Sequence, residues 1–249
     1  MAVRDPATAR WRRVPPAPES LTAPLPGYAD GLSIVFQPIL RAADLSIAAY
    51  EALSRFEHAA DVSRVYASAH TAGHGDLLEV EAVRRALGVP ERPPGTMLFV
   101  NVSERAMRSA RFWTELPVDL TDVMVELHET RAGLDEVAVN GILDGFRERG
   151  ARICLDDVGV HAQDLARIES LRPDVIKIDR RWVDHCDVRR TDVIDTLIAF
   201  AIDHGAVVCA EGAERPEELA VLRDRGVELV QGFLLAEPES TWHLVQPGR

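Results

Sequence analysis

From residue 31 onward, short apolar runs rich in β-branched residues alternate with longer amphipathic stretches. The pattern predicts strands at 32–39, 46–52, 97–102, 123–127, 152–156, 175–178, 207–210 and 228–230, with helices at 77–87, 133–149, 191–204 and 216–225. Continuously apolar strands separated by helices imply a sheet covered on both faces. Two architectures fit, a (β/α) barrel and a doubly wound sheet.

The polar residues decide between them. Glu51, Asn101, Glu126, Asp156 with Asp157, Lys177 with Asp179, Glu211 and Gln231 fall at the ends of successive apolar runs. In a barrel the C-terminal strand ends converge on one mouth. No Gly-rich turn of the dinucleotide type follows the first strand. The prediction is a TIM-like (β/α)8 barrel. Residues 41–45, between the first two runs, are too few for a helical crossover. A hairpin is the natural connection, so one of those two strands should be antiparallel.

Composition sets the bounds of this picture. A chain of 249 residues, 47% hydrophobic, can bury one large core. The Pro-rich stretch with scattered Arg before Tyr28 reads as a flexible segment over 1–30, leaving 31–249 as the barrel domain. It lacks the apolar core of a signal peptide. A net charge of −12 argues against duplex nucleic acid or an anionic membrane as partner. No run approaches the roughly 18 apolar residues of a membrane span. Cys154, Cys186 and Cys209 have no metal-ligand spacing and read as reduced core residues, which gives a cytoplasmic expectation.

Clustered carboxylates repel one another, so a mouth holding several needs cations. Oxygen donors select hard divalent ions, Mg²⁺ or Mn²⁺ above all. Glu51, Asn101, Glu126 and Asp156 offer four donors from four strands, and Asp157 can turn to a second ion while Asp156 bridges the two. Two ions roughly 3.5–4 Å apart clamp the attacking and leaving oxygens of a phosphodiester. Lys177 then orients the nucleophilic water or offsets phosphate charge, and Glu211 accepts its proton. Each residue also has an ordinary reading: exposed helix Glu for Glu51, turn or N-cap for Asn101, turn for Asp156-Asp157, rim salt bridge for Lys177 with Asp179. No structural rule asks every strand to end in a metal-type donor. A proton-abstracting barrel with Lys177 as base is a second reading of the same residues. His128 and His161 are further acid–base or ligand candidates.

The ordered motifs resemble those of the EAL domain family, bacterial phosphodiesterases of cyclic di-GMP. The likeness covers Leu32 to Pro238 through Gln37-Pro38-Ile39, Glu51-Ala52-Leu53 with Arg55, Asn101-Val102-Ser103, Glu126-Leu127-His128-Glu129, Asp156-Asp157-Val158-Gly159, Lys177-Ile178-Asp179, Glu211-Gly212-Ala213-Glu214 and Gln231-Gly232-Phe233. The resemblance implies a barrel with an antiparallel first strand and hydrolysis of cyclic di-GMP to linear pGpG. Glu51, Asn101, Glu126 and Asp156 would bind one metal, with Asp156 and Asp157 holding the other. Lys177 and Glu211 would position and activate water, while Gln37, Arg55 and Gln231 hold the dinucleotide. It also implies a homodimer and a regulatory protein partner.

One stretch departs from the family. Its usual loop, Phe-Gly-Thr-Gly-Tyr-Ser-Ser, is replaced by Val158-Gly159-Val160-His161-Ala162-Gln163-Asp164. In the family that loop is steadied by the acid matched by Glu129, with Asp179 and Glu214 as further support, and Val160 has no hydroxyl to offer it. The expected consequence is reduced activity, or a receptor that binds cyclic di-GMP with little turnover.

Overall fold

A computed structural model describes residues 2–4, 11–13, 27–127, 136–159, 162–183 and 191–242. Two short strands, β1 (Ala2–Arg4) and β2 (Trp11–Arg13), pair antiparallel. The Pro-rich composition around them gave no sign of this ladder. The other eight strands are β3 (Leu32–Arg41), β4 (Ile47–Phe56), β5 (Met97–Asn101), β6 (Val123–Leu127), β7 (Arg152–Val158), β8 (Val175–Ile178), β9 (Val207–Ala210) and β10 (Leu229–Val230). They close a barrel in the order β10-β3-β4-β5-β6-β7-β8-β9. Strand β3 is antiparallel to both neighbours, and the remaining pairings are parallel. The architecture is therefore the TIM-like barrel with an inverted first strand.

The connection from β3 to β4 is a tight hairpin. Leu45 takes φ 59°, Asp44 Oδ1 accepts from the Ser46 N–H at 2.9 Å, and the Arg41 N–H donates to the Ser46 carbonyl at 2.8 Å. An Asx-type turn of this kind reverses the chain without a helix. Because β3 then pairs along the whole of β4, from Leu40↔Ile47 to Leu32↔Phe56, β4 runs four residues past Ala52. Glu51 thus lies in mid-strand, a correction to its expected place at a strand end.

The helices are α1 (Val62–Thr71), α2 (Gly75–Gly88), α3 (Glu104–Met107), α4 (Ala110–Glu115), α5 (Glu136–Arg147), α6 (Ala162–Leu171), α7 (Arg180–Val183), α8 (Thr191–His204) and α9 (Pro216–Asp224). The pattern foresaw α2, α5, α8 and α9. It missed α1, in which Ala, Ser, His and Thr dilute the apolar stripe and Ala69 is the fully buried residue. Asp61 caps it, accepting from the Arg64 N–H at 3.2 Å. The main core, including Phe36, Tyr50, Leu98, Val100, Phe112, Phe146 and Ile176, lies between the barrel wall and its helices.

Candidate metal centre in the barrel mouth

Strand alternation divides the barrel interior into two tiers. Ile39, Ala49, Phe99, Met124, Cys154, Val175 and Cys209 form a separate apolar cluster, a floor inside the barrel. Two residues further towards the mouth on each strand stand Gln37, Glu51, Asn101, Glu126, Asp156, Lys177 and Glu211. With a period of two, a floor residue fixes the inward aim of its polar neighbour. Gln231 completes the upper tier two residues beyond Leu229, which packs against the floor. Inverted strand β3 contributes Gln37 from its middle, directly opposite Glu51. The floor accounts for two expected core cysteines: Cys154 and Cys209 are free and buried, and burial pushes both thiols up. Cys186 lies outside the described residues.

Lys177 is the hub of the upper tier. Only 1% exposed, its Nζ lies 2.5 Å from Glu211 Oε1, 2.7 Å from Glu126 Oε1, 3.2 Å from Glu51 Oε2 and 3.9 Å from Asp156 Oδ1. Burial alone would lower its pKa, but Glu126, Glu51, Glu211 and Asp156 outweigh burial and hold the ammonium well above its ordinary value. One positive charge faces four carboxylates. Burial, reinforced by Glu51 and opposed by Lys177, drives the Glu126 carboxyl well above its usual range. For Glu211, burial exceeds the opposing pull of Lys177, Asp156 and Glu51 add to it, and the carboxyl is pushed up to about 7. The tier carries more negative charge than Lys177 offsets.

The donor set suits divalent ions. Oxygens of Glu51, Glu126 and Glu211 lie within 4.8 Å of one another, as do those of Asp156, Asp157 and Glu211. Asn101 Oδ1 and Glu126 Oε2 are buried acceptors without a hydrogen-bond donor, positions that a cation would satisfy. Asn101 Nδ2 donates to Glu51 Oε1 at 3.3 Å, orienting its oxygen.

Two successive aspartates meet the same mouth because β7 bulges. The β7–β8 register shifts between Leu155 and Val158, and Asp157 takes φ 54°. A bulge re-aims a side chain that regular alternation would send to the other face. Asp and Asn tolerate this left-handed conformation better than most residues.

Around this centre, Gln231 Nε2 donates to Glu51 Oε2 at 2.8 Å and to Gln37 Oε1 at 3.1 Å, and Gln37 Nε2 donates to the Ala236 carbonyl. Gly232 follows because a Cβ there would lie 2.1 Å from the Ala213 carbonyl oxygen. Arg55 is exposed, four residues further along β4 than Glu51. Asp179 falls one residue past β8 and pairs with Arg181 at 2.8 Å rather than with Lys177. Its burial is outweighed by hydrogen bonds from Arg181 and contact with Asp157, and its carboxyl is held below the usual range. Glu214 pairs with Arg180 at 2.7 Å. Glu129, His128, Val160 and His161 lie outside the described residues.

Sequence reasoning gave Glu211 only a proton-accepting part, yet its oxygens join both carboxylate groups. It also missed a cavity of about 500 Å³ between β4, β5, α1 and α2, whose wall includes Glu51, Asn101, Ser103, His70 and Glu79. No periodicity marks a space made by small residues such as Ala52, Ala82 and Ala86.

The inverted strand and the carboxylate-lined mouth around a buried ammonium define a TIM-like barrel with an acidic cup. The EAL domain model matches residues 27–238, and the chain belongs to that family. It is 27% identical over 242 residues to the cyclic di-GMP phosphodiesterase NbdA of Pseudomonas aeruginosa, an alignment covering 84% of this chain and 29% of NbdA. With the probable cyclic di-GMP phosphodiesterase PdeN of Escherichia coli the identity is 26%, over 59% of this chain and 30% of PdeN. The chain thus spans less than a third of either relative. Among solved structures, the PaMucR phosphodiesterase in complex with c-di-GMP matches with a TM-score of 0.71 at 23% identity, covering 84% of this chain and 92% of that one. Klebsiella pneumoniae BlrP1, in its calcium and c-di-GMP complex, matches with a TM-score of 0.71 at 24% identity, covering 89% of this chain and 61% of that one. These structural likenesses speak to the fold.

Proposed function

We propose that this chain is a metal-dependent phosphodiesterase that opens cyclic di-GMP to linear pGpG, with turnover reduced by its altered loop. The observation that carries the reading is the upper tier: two carboxylate groups sharing Glu211, set around the buried Lys177 ammonium in a chain of the EAL family. Glu51, Asn101, Glu126, Asp156 and Asp157, with Glu211, would hold two ions, Mg²⁺ or Mn²⁺. Bound there, such ions supply Lewis-acid stabilisation of the phosphodiester and make water a better nucleophile. Lys177 holds that water in line and offsets phosphate charge. Glu211, 2.5 Å from the Lys177 ammonium, takes the water's proton on a carboxylate oxygen. Gln37 and Gln231 border the cup, and the Arg55 guanidinium reaches the dinucleotide from the rim. Asp179 and Glu214 would steady the rim through their pairs with Arg181 and Arg180. A cytoplasmic barrel unit over 31–249, acting as a homodimer with a regulatory partner, belongs to the same proposal.

A second reading, a cyclic di-GMP receptor with little turnover, is favoured by one specific feature: Val158 to Asp164 replaces the hydroxyl-bearing loop usual in the family. Chromatography of cyclic di-GMP incubated with the protein and Mn²⁺ or Mg²⁺ separates the two. Catalysis predicts pGpG, abolished by chelator and by Glu51→Ala. If the unaltered chain makes no more pGpG than Glu51→Ala, catalysis is refuted, and calorimetric binding without turnover establishes the receptor.

A further inference from the structure

Glu79, on α2 and 5% exposed, is a buried acid outside the upper tier. Its Oε2 accepts from the Ser103 N–H at 2.7 Å, and its Oε1 accepts from the Ser103 hydroxyl at 2.7 Å. His70 Nε2 meets the same Oε1 at 2.6 Å. Ser103 lies two residues beyond Asn101, where β5 has ended. The Val102 N–H still donates to the Glu126 carbonyl, but the next N–H is held by Glu79 in place of a strand. Ser103 Oγ in turn accepts from the Ala106 N–H and starts α3.

The His70 end is equally constrained. A Cβ on Gly75 would fall 2.1 Å from His70 Nδ1, so the ring packs against backbone that only glycine leaves open. Arg105 donates to the His70 carbonyl at 2.7 Å. The 500 Å³ cavity runs beside these residues, so packing alone does not fix 101–103. Along its wall the Ser54 and Tyr66 hydroxyls bond each other at 2.7 Å, and Glu79 serves Ser103 and His70.

We infer that Glu79, braced by His70, is a positioning residue for the metal centre, holding Ser103 so that the undonated Oδ1 of Asn101 faces the cup. The inference rests on the proposed metal-dependent reading. It links a helix outside the barrel to a ligand inside it through the Glu79–Ser103 hydrogen bonds and the chain from Ser103 back to Asn101. Outer-sphere partners of this kind change metal affinity by about ten- to a hundredfold when removed.

The test uses the full chain and Mn²⁺ alone. Glu79→Gln, which replaces one acceptor oxygen by an amide, should weaken Mn²⁺ binding by about tenfold or more. Combined with Asn101→Ala it should cost nothing beyond Asn101→Ala, because both act through one ligand. Additive losses, or unchanged affinity in Glu79→Gln, would overturn the inference. In metal-free protein, amide exchange at Ser103 should quicken by about tenfold in Glu79→Gln while Phe99 in β5 stays protected. Equal protection of Ser103 in both proteins overturns the inference whether or not metal binds, whereas failure of the unaltered chain to bind Mn²⁺ overturns the proposed function instead. Should Glu79→Gln not fold, Ser103→Ala, which loses the hydroxyl bond to Glu79 but keeps the N–H bond, serves in the Mn²⁺ titration alone, where unchanged affinity, or losses additive with Asn101→Ala, would overturn the inference.

Discussion

The two tiers of the barrel interior are one strand step apart, yet obey opposite rules. In the floor, Phe99, Met124, Cys154 and Cys209 close the core with apolar contact. In the upper tier, Glu51, Glu126, Asp156 and Glu211 crowd one ammonium, an arrangement that burial opposes. The same backbone alternation supplies both. The difference teaches that the floor makes the fold tolerant of a cup in which carboxylates outnumber the one ammonium. The tiers should therefore respond differently to mutation, to pH and to metal.

The largest expected effect separates them by metal rescue. Removing Lys177 leaves buried carboxylates without their cation, so Lys177→Met should cost about 3–5 kcal/mol in chelator. Saturating Mn²⁺ should recover much of that loss in urea unfolding. Equal destabilisation with and without Mn²⁺ would mean that Lys177 is core packing and nothing more. A floor substitution of similar size sharpens the contrast. Phe99→Ala should cost about 3–5 kcal/mol, the same in Mn²⁺ as in chelator. A loss that Mn²⁺ repairs would place Phe99 functionally in the upper tier.

A smaller effect distinguishes the tiers by pH. The folded Glu211 carboxyl is pushed up to about 7 from an ordinary value of 4.5, so between those values the folded chain binds more protons than the unfolded one. Its contribution is fully present below about pH 4.5 and is lost as pH rises towards 7, on the order of 3 kcal/mol. Urea unfolding of metal-free protein should show this fall, and Glu211→Gln should flatten it. A profile that Glu211→Gln leaves unchanged would contradict the assignment.

Legibility followed the same divide. Continuously apolar runs separated by amphipathic stretches disclosed the barrel because only strands buried on both faces read that way, and the residues at 41–45 disclosed the inverted strand because so short a link has few solutions. The carboxylate set was legible because its members fall at the ends of successive apolar runs, which a barrel gathers at one mouth. What was hidden depended on contacts between distant segments. The length of β4 came from pairing with β3, which put Glu51 in mid-strand. The bulge that turns Asp157 inward is a register shift between β7 and β8, invisible along either strand alone. Asp179, expected beside Lys177, turned to Arg181 because β8 ends at Ile178. Glu79, on a helix of ordinary appearance, has its partners nine and 24 residues away.

The claim that the upper tier is a two-ion cup is tested most directly by Mn²⁺ titration of the full chain, with free ion followed by electron paramagnetic resonance. Two ions per chain are predicted for the unaltered protein, with weakened binding at both sites in Glu211→Gln, since Glu211 belongs to both carboxylate groups. Absence of Mn²⁺ binding, or two ions bound with unaltered affinity by Glu211→Gln, would contradict it.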